Sequence, residues 1–301
     1  MSEFKSGFVS IIGRTNVGKS TLLNNLIKED VSITANKPQT TRLAIRAIAN
    51  RENSQIIFID TPGIHKPKSK LSETMVDTAF SSLKDVDVVL FMIEATSKEI
   101  GKGDTYILDK LKEINKKVIL IINKIDLVKK ESLLDLINKY KEKYEFSAVV
   151  PVEAKNAKYA ETVLDEIEKL LKPEPRYYDE DEYTDQTSRQ LAEEKIREKA
   201  LRFLDEEVPH GIYVEVSKFK DRKTTKKEDI YDIEATIFCK RESHKGIIIG
   251  KGGVMLKRIG QCAREDLEKT FGTKINLKLW VKVDPKWDEN TQILKKFKYA
   301  K

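Results

Sequence analysis

The octapeptide Gly13-Arg14-Thr15-Asn16-Val17-Gly18-Lys19-Ser20 stands between an apolar run at 8–12 (FVSII) and a helical pattern at 21–27. That context fixes three things at once. A strand has to end, the chain has to turn through a loop whose glycines permit close backbone approach, and a helix has to begin with its amides aimed back into the loop. The spacing GxxxxGK[ST] then predicts a phosphate cradle formed by residues 13–20. In it, Lys19 reaches the terminal phosphates and the Ser20 hydroxyl ligates Mg²⁺.

A cradle of this kind needs a sheet behind it, and the first half of the chain supplies the pattern. Apolar runs recur at 43–49, 56–60, 86–93, 117–123 and 148–152, with helical segments between them. Several are apolar on both faces, as strands covered by helices on both sides are, so a doubly wound, mostly parallel α/β sheet is expected. A helix at 160–171 carries Val163, Leu164, Ile167, Leu170 and Leu171 on one stripe and closes the unit. Residues 173–188 are acidic, Tyr-rich and without periodicity, which reads as a linker between a domain at 1–172 and a second at 189–301.

Two more motifs stand at strand ends. Asp60-Thr61-Pro62-Gly63 follows the run at 56–60, where the Asp60 carboxylate holds Mg²⁺ and the Gly63 amide meets the γ-phosphate. Asn123-Lys124-Ile125-Asp126 follows the run at 117–123. The Asp126 carboxylate can accept from guanine N1–H and the 2-amino group together, which adenine cannot match, so GTP and GDP are expected rather than adenine nucleotides. Asn123 ties this loop to the phosphate loop, and the Lys124 stem lies along the base.

The three histidines and two cysteines, Cys239 and Cys262, fall in no metal-ligand spacing, so neither a zinc site nor a disulfide framework is expected. No run of about 18 apolar residues exists to span a bilayer. Charge is unevenly spread: residues 173–216 carry 6 basic and 13 acidic side chains, net −7, and residues 217–301 carry 22 basic and 12 acidic, net +10. The basic last third suits a polyanion. Its elements read αββααβ: a helix at 188–206, strands at 212–219 and 230–239, a short helix entering Gly250, a helix at 253–271 and a strand at 274–283. Within this order Gly250-Lys251-Gly252-Gly253 forms a GxxG loop between two helices, which is the type II KH arrangement. Gly246, Gly250, Lys251, Gly252 and Gly253 are the candidate RNA contacts, because glycines let a nucleic-acid backbone come close. Trp280, on the basic face of the last strand, is expected to pack under a C-terminal helix.

The motifs of the first half resemble those of the translation-factor-related GTPases. Pro38-Gln39-Thr40-Thr41-Arg42 is similar to their first switch segment, with Thr41 favoured over Thr40 as the Mg²⁺-binding threonine. The fifth element, usually Ser-Ala, reads Val152-Glu153-Ala154-Lys155. Its Ala154 N–H is implied to bind the guanine oxygen, and Glu153 removes the support a serine gives. With the GxxG half included, the chain resembles the Era-type GTPases over nearly its whole length. The resemblance implies a GTPase whose KH domain binds 16S ribosomal RNA near its 3′ end during small-subunit assembly, in the cytoplasm, with a peripheral inner-membrane fraction and a monomer expected. It implies a catalytic set of Asn16, Lys19, Thr41, Asp60 and Gly63. Ile64 replaces the glutamine that orients water in Ras-like enzymes, so unaided hydrolysis is expected to be slow. Asn16 resembles a residue that holds K⁺ against the phosphates in related proteins, with Arg14 and Arg42 as rival charge donors. Two other readings of the C-terminal half stay open here: a lipid-facing tail built on Lys295, Lys296, Lys298 and Lys301, or a protein-interaction module whose GxxG is merely a turn.

Overall fold

The computed structural model describes residues 3–34, 37, 40–42, 45–64, 70–223 and 229–296. The chain divides into two units, Met1–Ser32 with Thr41–Asp185, and Ile33–Thr40 with Gln186–Lys301.

In the first unit the elements run β1 (Lys5–Gly13), α1 (Lys19–Ile27), β2 (Ile45–Asn50), β3 (Ser54–Asp60), α2 (Lys70–Ser81) and β4 (Val88–Glu94). They continue with α3 (Lys102–Lys112), β5 (Lys117–Asn123), α4 (Lys130–Lys141), β6 (Ala148–Pro151), α5 (Ala160–Leu170) and β7 (Lys172–Pro173). The sheet order is β2-β3-β1-β4-β5-β6, with β7 added antiparallel to the start of β1. All neighbours along that order are parallel except β2 and β3.

Alternate residues of the central strands feed two cores. Val88, Leu90, Met92, Ile119 and Ile121 pack with α1 and α5 on one side. Val89, Phe91, Ile93, Leu120 and Ile122 pack with α3 and α4 on the other. This two-sided burial is why the runs read as apolar throughout, and it puts the carboxyl ends of β1, β3 and β5 on one rim, where ligands of open α/β sheets bind.

The segment expected as a free linker is hydrogen-bonded to this sheet. The amides of Tyr177 and Tyr178 both donate to Gln55 Oε1, at 2.8 and 3.0 Å. Further along, Ile48 N–H donates to Tyr183 O at 2.9 Å, and Thr184 bridges Ala47. Residues 173–185 therefore start on β1, cross β3 at Gln55 and end on the edge strand β2 at residues 183–184. Their polarity gave no hint of this, because the bonds use backbone groups.

The second unit holds α6 (Ser188–Phe203), β8 (Ile212–Lys223), β9 (Asp229–Cys239), α7 (Glu242–Ile249), α8 (Val254–Phe271), β10 (Lys274–Val283) and α9 (Thr291–Lys296). A capping box between Thr187 and Gln190 starts α6. The sheet order is β10-β9-β8, and Ile196, Ala200, Ile233, Ile237, Ile259, Ala263 and Leu267 form the core between sheet and helices. Against the expected packing under a helix, Trp280 is 44% exposed on the outer sheet face among the described residues, and Trp287 is the buried tryptophan, with its Nε1–H donating to Gly211 O at 3.0 Å. Alternation along β10 points Trp280 outward, whereas Trp287 follows the strand and turns under. Cys239 is buried and Cys262 half-buried, both as free thiols. Among the described residues no helix is long and apolar enough to cross a membrane. The side chains of Lys295, Lys296, Lys298 and Lys301 lie outside the described residues.

Candidate functional site

The loop from Gly13 to Ser20 leaves β1 and enters α1. Gly18 has φ +106°, a region that favours glycine, and a Cβ there would lie 2.3 Å from Asn123 Nδ2. Asn16 also stands in the left-handed region, at φ +66°, with its side chain exposed. Lys19 Nζ is buried and donates to the carbonyls of Gly13 and Arg14, at 3.3 and 3.0 Å. Burial lowers its pKa to about 8, against the nearby Asp60 charge, which raises it. Thr15 lies against Gly63, where a Cβ would come within 2.7 Å of Thr15 Cγ2, so Gly63 is what allows the second motif to reach the loop.

Asp60 is fully buried at the end of β3. Its Oδ2 accepts from the hydroxyls of Ser32, Ser20 and Thr41, at 2.6, 3.1 and 3.3 Å. Ser20 Oγ and Thr41 Oγ1 are 2.9 Å apart. Asp60 Oδ1 is buried and has no hydrogen-bond partner among the described residues. Desolvation raises the carboxyl pKa, opposed by Ser32, Lys19, Ser20 and Thr41. A buried carboxylate oxygen left over beside two converging hydroxyls fits a hard divalent cation such as Mg²⁺. Thr40 turns away, its hydroxyl donating to Lys37 O at 2.7 Å. Pro38 and Gln39 lie outside the described residues. Thr61 is buried with its hydroxyl on Ile11 O at 2.7 Å, and Pro62 is buried beside it.

The base loop is organised by Asn123. Its Nδ2 donates to Val17 O at 2.7 Å, and its Oδ1 accepts from Ala154 N–H at 2.8 Å. The Ala154 amide expected to meet the guanine oxygen is thus engaged with Asn123. Support for this loop comes without a serine hydroxyl: Asn25 Nδ2 donates to Ala154 O, and Asn156 N–H donates to Glu153 O at 2.8 Å. Lys124 has φ +65°, and its ammonium pairs with Glu94 and reaches Asn16 O. The Asp126 carboxylate stands exposed in a 3-10 turn.

Sequence reasoning missed Ser32, Asn25 and Glu94. No local motif marks them; only the fold brings them to the site. Of the rival charge donors, Arg42 is buried, and the Arg14 guanidinium is turned toward Asp104 and Ser97. Ile64 is buried in the α3-side core, with its N–H on Gly13 O at 3.0 Å.

In the second unit, α7 ends when Gly250 N–H closes on Gly246 O, and Gly250, Gly252 and Gly253 all have positive φ. A Cβ on Gly250 would lie 2.8 Å from Met255 Cβ, whereas nothing stands within 4 Å of one on Gly252 or Gly253. Lys251 and Gly252 are exposed, flanked by Ile247 and Val254, 50% and 68% exposed. The first amides of α8 carry no side-chain cap among the described residues, and they make the start of this helix an electropositive end.

Phosphate loop, switch carboxylate and guanine loop share one sheet rim, and a GxxG domain follows on the same chain; this is a P-loop GTPase carrying a KH domain. Comparison with known proteins agrees. The family model described as 50S ribosome-binding GTPase matches residues 8–124, and the KH domain model matches residues 207–288. GTPase Era of Caldanaerobacter subterraneus subsp. tengcongensis is 54% identical over 297 residues, covering 99% of this chain and 98% of the relative. GTPase Era of Thermoanaerobacter sp. (strain X514) is 53% identical, covering 98% and 97%. Two solved structures superpose with TM-scores of 0.94 at 40% identity, each covering 99% of this chain and 100% of the other. One is Era in complex with MgGDPNP and nucleotides 1506-1542 of 16S ribosomal RNA. The other is an Aquifex aeolicus Era variant bound to GDP·AlF4⁻. The chain belongs to the Era family of GTPases.

Proposed function

We propose that the protein is a GTP-dependent switch that binds small-subunit ribosomal RNA near its 3′ end and assists assembly of that subunit in the cytoplasm. The observation that carries this is the 0.94 TM-score to Era holding MgGDPNP and nucleotides 1506-1542 of 16S ribosomal RNA, matched over 99% of this chain. The site residues support it. Gly13 to Ser20 wrap the phosphates, Lys19 is drawn from the Gly13 and Arg14 carbonyls toward the terminal phosphates, and Asp126 reads the guanine edge. Ser20, Thr41 and Asp60 are the residues that would hold Mg²⁺, which when bound supplies charge neutralisation at the phosphates. Thr41 is favoured over Thr40 because its hydroxyl is the one beside Asp60.

Hydrolysis is slow by construction. Ile64 offers attacking water no hydrogen bond, and the Gly63 amide and Lys19 are left to stabilise the γ-phosphate as charge develops. Asn16, exposed in its left-handed loop position, is the residue that would hold K⁺ there. Loss of the γ-phosphate releases the segments around Thr41 and Gly63, and RNA affinity changes with them. The RNA grip is assigned to Gly250, Lys251, Gly252 and Gly253, with Gly246 closing the helix before them.

The test is a pair of titrations, with fluorescent GTP and with labelled single-stranded RNA of the 16S 3′ end, on the unaltered chain and on Lys251→Asp/Gly252→Asp. No atom crowds a side chain at Gly252, and its left-handed backbone, at φ +62°, is one that aspartate tolerates better than most residues, so RNA affinity is expected to fall at least tenfold while GTP affinity holds. Retained RNA affinity would instead favour a protein-interaction role for this domain.

A further inference from the structure

The Arg14 side chain is tightly engaged within the protein, turned toward α3. Its Nε lies 3.1 Å from Asp104 Oδ1, an ion pair whose angle falls short of a hydrogen bond, and its Nη2 donates to Ser97 Oγ at 3.2 Å. Asp104 sits in the first turn of α3 and is fully buried. Its other oxygen, Oδ2, accepts from Tyr140 of α4 at 3.1 Å, and Tyr140 is itself fully buried. Gly103 completes the arrangement. A Cβ there would stand 3.0 Å from Arg14 Cδ, so this glycine in the first turn of α3 leaves room for the arginine across the helix start. A buried carboxylate costs stability unless it is paired and hydrogen-bonded, and Arg14 and Tyr140 supply that here.

What it holds is the outer arm of the phosphate loop. The Arg14 carbonyl accepts from Lys19 Nζ, and the Arg14 backbone bridges Ile64, directly after Gly63. We infer that Asp104 is a positioning residue for nucleotide binding: by fixing Arg14 against α3 it sets the carbonyl that aims Lys19 and the strand-like contact that seats Ile64. The inference rests on the reading that nucleotide occupies this loop, which binding of GDP by the unaltered protein checks separately. On this account Arg14 acts through its anchorage and delivers no charge to the phosphates.

The phosphate loop holds the nucleotide before reaction as well as during it, so loosening it weakens nucleotide binding foremost. In Asp104→Asn, which keeps shape and removes charge, affinity for fluorescent GDP is expected to fall about tenfold and KM for GTP to rise by a similar factor. The kcat should fall by less than the affinity does, since Lys19 and the Gly63 segment also meet the charge that develops at the γ-phosphate. Arg14→Ala should show the same loss, and the double variant no more than either, because the two residues form one device. Tyr140→Phe, which keeps the bulk and removes one bond to Asp104, should give a smaller loss in the same direction. Three results would overturn the inference: unchanged GDP affinity in Asp104→Asn with only a lower melting temperature, additive losses in the double variant, or a fall in kcat with KM intact. Should Asp104→Asn not fold, Arg14→Ala decides alone, since that side chain is one-third exposed; undiminished GDP affinity there refutes it.

Discussion

Replacing Asn123 by aspartate exchanges a single donor for an acceptor where both ends of a buried side chain are engaged. The Ala154 N–H bond to Oδ1 survives, while the atom facing Val17 O at 2.7 Å becomes an oxygen. Two costs add: the lost bond, about 1 kcal/mol, and two facing acceptors left unpaired at a residue 4% exposed, about 1–3 kcal/mol more. The sum, about 2–4 kcal/mol, predicts a loss of GDP affinity of roughly 30- to 1,000-fold at pH 8, since the bond joins base loop to phosphate loop. Acid should repair it. A protonated carboxyl donates to Val17 O as the amide did, and burial lifts the introduced group above its unfolded value of about 3.9. The folded chain then keeps a proton that the unfolded chain has released, so the deficit grows as pH rises through the raised value and shrinks below it. Fluorescent GDP titrations of Asn123→Asp against the unaltered protein at pH 8 and pH 5 measure the ratio. Thermal midpoints of the nucleotide-free proteins at the same two pH values exclude any contribution from the base. A deficit of equal size at both would refute the argument that the Val17 bond is what the substitution breaks.

Asp126→Asn should shift preference from GTP toward xanthosine triphosphate, whose 2-oxo group presents an acceptor; competition between the two nucleotides reads this, and retained GTP preference would unseat Asp126. Steady-state hydrolysis at equal ionic strength should be faster in potassium than in sodium chloride, because Asn16 stands exposed at the loop and Ile64 cannot orient water; equal rates remove the cation from the mechanism. Burial pushes the Glu193 carboxyl up to about 7, against the Val216 N–H it accepts from at 2.9 Å. Its folded value lies above the unfolded one of about 4.5, so ionisation costs stability progressively between those values and in full above them. Glu193→Gln, which keeps the acceptor, should therefore stabilise the second unit by about 1–3 kcal/mol at pH 8 and not at pH 4, as followed by urea unfolding.

Much of the site was legible because its parts are punctuation. Glycines, a lysine and a hydroxyl at fixed spacing mark the phosphate loop, and Asp60 and Asn123 close apolar runs. Residues that act by convergence left no such mark. Ser32 reaches Asp60 from a loop 28 residues earlier, and Asp104 meets Arg14 across 90 residues of chain, so neither spacing carries a pattern. The family pattern favours Thr41 over Thr40, and the packing of the segment is what turns the Thr41 hydroxyl toward Asp60. The strands were visible through apolar runs, but the course of residues 173–185 was not, since backbone amides meeting Gln55 look the same in sequence as amides meeting water. Alternation along β10 did place Trp280 outward, and the burial of Trp287 depends on a turn that periodicity does not describe.

The strap that residues 173–185 draw from β1 across β3 to β2 bears on how this protein can be taken apart. A truncation ending at Lys172, where composition changes, would strip the outermost strand of its Tyr183 and Thr184 partners and leave Gln55 without the two amides it receives. Bare strand borders recruit other chains. A fragment cut there should therefore precipitate or self-associate, while one ending after Asp185 should stay monodisperse, and a protease meeting the intact molecule should spare the tyrosine-rich stretch despite its polar character.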